Sequence, residues 1–332
     1  MRPGSRQPTT DKGQLTTDHG AASGTLYARQ SPYLTQEEAM RAPIETMLLP
    51  PNILVADGAL GTYMQAQGLP AGTPPELWNA EQPETVRAIH RAYLEAGADI
   101  LTTNTFSGNR LRLPDGVGGH SLRDLVRRGV ELAREVAGDR AYVAGSMGPT
   151  GKLLEPLGDL SCSEAQEAYA EQAALMAEAG ADIILVETIS DVLEARAALL
   201  GATSATALPV FVTFSFDDTG RTIMGNTAEE ACREVQALGA AATGANCGSG
   251  PAAVTTALQR MMRACSLPLI AQPNAGLPQL QGGQTTWDAT PDEFAERARV
   301  LIGLGARVVG ACCGSTPAHI QAIRAAVDAV RA

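Results

Sequence analysis

Leu304-Gly305-Ala306-Arg307-Val308-Val309-Gly310-Ala311-Cys312-Cys313-Gly314-Ser315-Thr316-Pro317 contains a helix stop, a short apolar strand, a polar strand end and a helix start in one run. Gly305 supplies the left-handed residue that ends a helix, Val308 to Ala311 reads as a buried strand, and Pro317 suits a first helical turn. Nearly the same helix ending recurs at Ala96-Gly97-Ala98, Ala179-Gly180-Ala181 and Leu238-Gly239-Ala240, each just before another apolar run.

Working outward, eight apolar runs alternate with amphipathic helical patterns: Ile53 to Ala56, Ile100 to Thr103, Tyr142 to Gly145, Ile183 to Val186, Val210 to Phe214, Ala242 to Ala245, Leu269 to Gln272 and Val308 to Ala311. Near-continuous apolar strands between helices imply a parallel sheet covered on both faces. Eight such units predict an α/β fold of the closed (β/α)₈ TIM-barrel type. A doubly wound open sheet is the alternative, but no Gly-x-Gly-x-x-Gly opens the first unit. Capping boxes at Ser163 with Gln166, Thr227 with Glu230 and Thr290 with Glu293 mark helix starts, as do Pro83, Pro251, Pro291 and Pro317.

The chain has 332 residues, 45% of them hydrophobic, enough for one barrel of roughly 250 residues and a tail. Residues 1–34, dominated by Gly, Ser, Thr and Gln, are expected to form a disordered tail, and residues 35–332 a single barrel domain. Thr35 with Glu38 makes a further capping box, predicting a short helix through Ala39, Met40 and Ile44 that plugs the barrel floor. A net charge of -11 with no run of lysine or arginine argues against nucleic acid or an anionic membrane as partner. No apolar segment approaches the ~20 residues that cross a bilayer, and no secretory pattern opens the chain, so a cytoplasmic location is expected. Six cysteines in a chain of this length do not make a disulfide scaffold. Cys162, Cys232 and Cys265 fall in or beside helical patterns and read as packing or surface residues.

In a barrel the chemistry sits at the carboxyl ends of the strands. Cys312-Cys313 and the cysteine of Gly244-Ala245-Asn246-Cys247-Gly248 therefore share one rim. Adjacent strand residues point to opposite faces, so both sulfurs can turn inward only where Gly310 and Gly314 free the backbone. Three thiols at matching strand ends point to a Cys₃ site, and the ligand type favours zinc with its fourth position open to substrate. The alternative is that Cys312 and Cys313 are small buried hydrophobes beside a turn. The other strand ends supply Asp57-Gly58-Ala59, Thr103-Asn104-Thr105, Ser146-Met147-Gly148, Glu187-Thr188, Ser215 and Pro273-Asn274.

These residues carry a resemblance. Asp57-Gly58-Ala59-Leu60-Gly61-Thr62, Thr102-Thr103-Asn104-Thr105-Phe106, Met147-Gly148-Pro149-Thr150-Gly151, Val186-Glu187-Thr188, Gly220-Arg221, Asn246-Cys247, Pro273-Asn274-Ala275-Gly276 and Ala311-Cys312-Cys313-Gly314, in this order, resemble the homocysteine S-methyltransferase family. The similarity runs from about residue 50 to 330 and is strongest to the homocysteine-binding barrel of the cobalamin-dependent methionine synthases. It implies zinc on Cys247, Cys312 and Cys313, with the sulfur of L-homocysteine as fourth ligand. Glu187 is the first choice for the substrate ammonium and Asp57 the second, and the backbone of Gly58 and Ala59 would receive the carboxylate. Asn246 is expected to support the site, while Thr103, Asn104 and Asn274 are weaker candidates for substrate contact.

In the full-length synthase, separate modules carry folate and cobalamin, and this chain ends after its eighth helix. The expected donor is therefore methylcobalamin on a separate corrinoid protein. A stand-alone enzyme using betaine or S-methylmethionine is the rival, as is a zinc- and homocysteine-binding subunit active only within a multi-protein complex, or a purely structural zinc. His90, His120 and His319 read as solvated rather than ligating, and His19 lies in the tail.

Overall fold

A computed structural model describes residues 42–281 and 284–331; the expected tail and the capping box of Thr35 with Glu38 lie outside these residues. The barrel strands are β1 (Leu54–Val55), β2 (Ile100–Thr102), β3 (Tyr142–Met147), β4 (Ile183–Ile189), β5 (Val210–Phe214), β6 (Ala242–Cys247) and β7 (Leu269–Pro273). A hairpin of β8 (Gln279–Gln281) and β9 (Gln284–Thr286) stands apart, and β10 (Ala306–Val309) completes the barrel. The helices are α1 (Ile44–Met47), α2 (Gly61–Ala66), α3 (Trp78–Glu81), α4 (Pro83–Glu95), α5 (Leu122–Ala137) and α6 (Cys162–Glu178), then α7 (Val192–Ala205), α8 (Ala228–Ala237), α9 (Pro251–Ala264), α10 (Pro291–Gly303) and α11 (Pro317–Arg331).

The strands neighbour one another in the order β1-β10-β7-β6-β5-β4-β3-β2, all parallel, and a bridge between Ala56 and Ile100 joins the two ends. This seam has few ladder bonds because β1 is so short, and two carboxylates reach across it in opposite senses. Asp57, just after β1, accepts from the Thr102 N–H and hydroxyl, both at 2.7 Å. Asp99, just before β2, accepts from the Val55 N–H at 2.8 Å and pairs with Arg324 at 3.0 Å. Side chains thus supply the pairing that a longer strand would draw from its own backbone.

Inside the ring, Leu54, Ala56, Ile100, Tyr142, Ala144, Ile183, Leu185, Phe211, Ala242, Ile270 and Val308 form a closed apolar column, floored by Ile44, Met47 and Leu48. The single helical turn α1 is the described part of the expected plug. The outer faces of the strands pack on the helices in a second and larger core.

Most local punctuation follows the sequence. Gly97, Gly180, Gly239 and Gly305 all have φ between 88° and 97°, the left-handed stops expected of them. Boxes at Thr227 and Thr290 form as expected, but the α6 box uses Ser161 with Glu164 instead of Ser163 with Gln166. Ser161-Cys162-Ser163-Glu164 offers the same spacing two residues earlier, and a charged Glu closes it onto the helix N-terminus. The last strand stops at Val309 rather than Ala311. There the backbone of Gly310 presses against Ala56 and Asp57, where a Cβ would lie 2.9 Å from the Ala56 carbonyl oxygen.

The reading of His90 and His319 as solvated is overturned. His319 is 7% exposed, with Nδ1 accepting from the Thr316 N–H at 3.1 Å and Nε2 against the Ala289 carbonyl at 3.0 Å. His90 lies on the buried face of α4 beside Val86, Ile89, Tyr93 and Leu94, and neither ring nitrogen has a partner among the described residues. Polar type suggested an outer face; the i, i+3, i+4 spacing to apolar neighbours decided the inner one. Burial pushes the imidazole down to about 4, so the native protein buries it neutral. Between about pH 6.5 and 4 the unfolded chain binds the extra proton, and stability falls as pH falls through that window. Replacing His90 by Leu should flatten this dependence by up to about 3 kcal/mol between pH 7.5 and 4. Urea unfolding at the two pH values measures it.

Candidate metal centre and substrate cavity

Three sulfurs meet at the carboxyl ends of β6 and β10: the Sγ atoms of Cys247, Cys312 and Cys313 all lie within 4.8 Å of one another. Three thiolates around one tetrahedral zinc at ~2.3 Å would be about 3.8 Å apart, so the set needs at most about 1 Å of contraction to fit the ion. The backbone is bent to allow it. Among described residues other than glycine, only Thr188 at φ 62°, near the end of β4, and Cys247 at φ 58°, at the end of β6, have positive φ. Gly248 follows, at φ 65°, where a Cβ would meet the Phe216 carbonyl oxygen at 2.3 Å. After β10, Gly314 at φ 79° lies under Trp287, whose Cδ1 would be 1.3 Å from an added Cβ.

Hydrogen bonds fix the paired-cysteine turn from four sides. The Cys312 N–H donates to the Pro273 carbonyl at 2.8 Å, and the Cys313 carbonyl accepts from the Ala275 N–H at 2.9 Å. The Gly314 N–H donates to Thr62 Oγ1 at 3.0 Å. Ser315 Oγ donates to the Cys312 carbonyl at 2.8 Å while accepting from the Ala59 N–H at 3.0 Å. Ser315 thereby ties the turn after β1 to the turn after β10.

Without a cation, three thiols this close cannot all ionise. The sulfurs of Cys312 and Cys313 hydrogen-bond to Cys247 and hold its thiol low, while those same contacts with a charged Cys247 push Cys312 and Cys313 up. A shared divalent cation removes that conflict, because it deprotonates each coordinating thiol.

The sulfurs form one wall of a cavity of about 280 Å³ that Asp57, Gly58, Ala59, Thr103, Asn104, Ser146, Glu187 and Thr188 also line. Glu187 is the acid beside the sulfurs: Ser146 Oγ donates to one carboxylate oxygen and the Asn246 amide to the other, at 3.3 Å. Burial pushes its carboxyl up to about 7. Asp57 is likewise pushed up to about 7 by burial, but both its oxygens are engaged by Thr102.

The remaining expected residues serve the frame. Asn246 is a hub behind the wall. Its carbonyl accepts from the Thr188 N–H and Thr213 Oγ1, both at 2.9 Å, and its amide donates to Thr188 Oγ1 at 2.8 Å and approaches Cys312 Sγ at 3.9 Å. Asn104 commits both amide protons, to the Pro75 carbonyl and to Asn79. Thr103 Oγ1 joins the end of β2 to β3 through the Ser146 N–H at 3.0 Å. Asn274 stands behind Cys247, donating to the Gly248 carbonyl at 3.0 Å, and is not part of the cavity lining.

Sequence reading assigned no role to Ser146, Ser315 or Glu76. Glu76 reaches the cavity wall from a 3₁₀ turn, fully buried, with one oxygen accepting from the Ser107 N–H and the other unpartnered among the described residues. Only Ser146 carried a signal, as a polar residue at a strand end.

The comparisons agree with this geometry. The family profile described as homocysteine S-methyltransferase matches residues 54–327. The chain is 38% identical over 304 residues to methionine synthase of Mycobacterium tuberculosis (strain ATCC 25618 / H37Rv), covering 86% of this chain and 25% of that protein. It is also 38% identical over 296 residues to methionine synthase of Mycobacterium leprae (strain TN), covering 83% and 24%. The chain thus spans about a quarter of the length of these relatives. Among solved structures, the metallated form of the homocysteine methyltransferase MmuM from Escherichia coli superposes with a TM-score of 0.71 at 26% identity, covering 86% of this chain and 99% of that one.

A Gly314→Ala substitution tests the metal centre, since it adds a Cβ at positive φ in the space Trp287 occupies. Zinc affinity should fall at least about tenfold, as when a supporting contact of a metal site is lost. Competition with a chromophoric chelator measures it, and unchanged affinity would show that the turn does not depend on this contact. The match of the family profile to residues 54–327, the identity to the synthases and the shared fold place this chain in the homocysteine S-methyltransferase family.

Proposed function

We propose that this chain transfers a methyl group to the thiol of L-homocysteine to give methionine, in the cytoplasm, with zinc held by Cys247, Cys312 and Cys313. The observation that carries this reading is the meeting of three Sγ atoms at the wall of a cavity that also holds Glu187. Cys247, Cys312 and Cys313 would hold the zinc, and the ion would supply the positive charge that lets a substrate thiol ionise beside them and remain nucleophilic.

The chain's own residues orient the substrate. Glu187, fixed on both oxygens by Ser146 and Asn246, receives the substrate ammonium. That ammonium is the counter-charge the buried carboxylate lacks, and it favours the ionised form. The Gly58 N–H receives the substrate carboxylate, since the Ala59 N–H is already held by Ser315. Asp57 shapes that turn from its anchor on Thr102 and remains the second acid for the ammonium. Thr103, Asn104, Asn246 and Asn274 hold the walls in register.

For the donor, the favoured reading is a methylcorrinoid carried by a separate protein. A cavity of about 280 Å³ admits an amino acid but not a corrin ring, so a corrin must be presented at the mouth. Exposed apolar side chains stand in the segments that follow the strands on that side: Leu153 and Leu157 after β3, Leu193 after β4, Ile223 after β5 at 89% exposure, and Leu277 after β7. Apolar side chains around a mouth suit a macromolecular partner. The rival donors present a quaternary ammonium or a sulfonium centre, which binds best in a cage of aromatic rings. Phe106 is the single aromatic residue among the described lining residues, and the Arg112 guanidinium lies 5.4 Å from its ring centroid. Like charge over that ring disfavours betaine or a sulfonium there.

One assay tests the reading. Zinc-loaded protein is given homocysteine with methylcobalamin on a corrinoid protein, with betaine, or with S-methylmethionine, each alone. Methionine should form with the corrinoid only; turnover with either small donor would overturn the donor assignment, and turnover with none would overturn the transferase reading. In the same assay Cys247→Ala should lose zinc and all transfer, whereas Glu187→Ala should keep zinc and raise the KM for homocysteine at least about tenfold.

A further inference from the structure

The turn after β1 leaves one backbone donor unspent, and a tyrosine from α4 sets where that donor stands. Asp57 gives its N–H to the Ile100 carbonyl at 3.1 Å, and its own carbonyl accepts from the Ala311 N–H at 3.2 Å. Ala59 gives its N–H to Ser315 Oγ at 3.0 Å, and its carbonyl accepts from the Tyr93 hydroxyl at 2.8 Å. Between them, the Gly58 N–H has no acceptor among the described residues, and Gly58 lines the cavity. A backbone donor left over where its neighbours are all paired is a place for an acceptor on a ligand.

Tyr93 lies on the face of α4 that also buries Val86, Ile89, His90 and Leu94, and is itself fully buried. Tyr63 of α2 packs against it with ring centroids 6.1 Å apart. A tyrosine on such a face needs a partner for its hydroxyl, and this one meets two: the Ala59 carbonyl and, at 3.4 Å, the Ser315 carbonyl. Burial pushes the hydroxyl up, so it stays protonated and donates. The two carbonyls belong to different turns. Ala59 follows β1, whereas Ser315 follows β10, where its Oγ also holds the Cys312 carbonyl at 2.8 Å. One buried hydroxyl thus spans the segment with the free donor and the segment with the paired cysteines. Glycine at 58 lets the first of these lie flat on its supports, since a Cβ there would stand 2.5 Å from Ser315 Oγ and 3.0 Å from Tyr93 Cε1.

We propose that Tyr93 is a positioning residue that holds the Gly58 N–H at a set separation from the sulfurs of Cys312 and Cys313, and thereby selects thiols that carry a carboxylate. The inference rests on the reading of the cavity as a site for an amino-acid thiol. Such a ligand is anchored at both ends, sulfur at the cysteines and carboxylate at Gly58, with a short carbon chain between. Hydrogen bonds weaken steeply with distance and angle, and those to a charged group have the most to lose. Removing the Tyr93 hydroxyl takes a donor from two buried carbonyls, so the turn shifts and the carboxylate end loses its contact while the sulfur end keeps its own.

The test is isothermal titration of the zinc-loaded full chain with L-homocysteine and with aminopropanethiol, its decarboxylated counterpart, which keeps the thiol and the ammonium. Tyr93→Phe should raise the Kd of homocysteine at least about tenfold and leave zinc content and the Kd of aminopropanethiol unchanged. Gly58→Ala, whose Cβ pushes the turn off Ser315 and Tyr93, should give the same selective loss and answers the question if Tyr93→Phe does not fold. Equal weakening of both thiols, as a general loss of structure would give, overturns the proposal, as does unchanged affinity for homocysteine. Either of those results leaves the homocysteine reading standing, whereas wild-type protein that binds neither thiol overturns that reading and this inference with it.

Discussion

Like charges resist being brought together, and this molecule brings three ionisable sulfurs and two buried carboxylates to one end of a barrel. The sulfurs lie within 4.8 Å of one another, and burial pushes the carboxyls of Glu187 and Asp57 up to about 7. In a low-dielectric wall such a set is costly unless a cation shares the charge. The fold concentrates its unusual backbone here. Cys247 and Thr188 take positive φ, Gly314 leaves room for Trp287, and Gly310 lies flat against the end of β1. Strain of this kind persists where surrounding structure over-determines it.

That surrounding structure is the closed ring. Cys247 and the paired cysteines stand on β6 and β10, which sandwich β7, so their spacing follows from two parallel registers. On its other flank β10 pairs only with β1, a strand of two residues. The carboxylates of Asp57 and Asp99 therefore add bonds across the β1–β2 seam, Asp99 at its amino end and Asp57, with Ser315, at the rim. A residue that lines the cavity thus also closes the barrel, and this makes Asp57 a poor reporter of any cavity contact by mutation.

What the sequence made legible was periodic or local. Apolar runs marked all eight strands, glycines after helical patterns marked four helix stops, and cysteines at two strand ends marked the metal candidate. The misses have physical causes. Ser315 meets Ala59 across 256 residues, and no local pattern encodes such a contact. Asn246 read as a neighbour of a ligand, whereas its value lies in joining Glu187, Thr188, Thr213 and Cys312. His90 was misplaced because residue type outweighed the apolar spacing around it. Two equivalent capping registers at Ser161 and Ser163 could be separated only by which acid closes the box. The short hairpin of β8 and β9 lies in a stretch of Gln, Gly and Thr without apolar alternation to announce it.

The central claim is that Cys247, Cys312 and Cys313 grip one metal ion and leave it open to an amino-acid thiol. X-ray absorption at the zinc edge of the loaded protein, recorded with and without L-homocysteine, tests it most directly. The account predicts three sulfur scatterers at about 2.3 Å, rising to four when homocysteine is added. A first shell made mainly of nitrogen and oxygen, or a sulfur count indifferent to homocysteine, would contradict it.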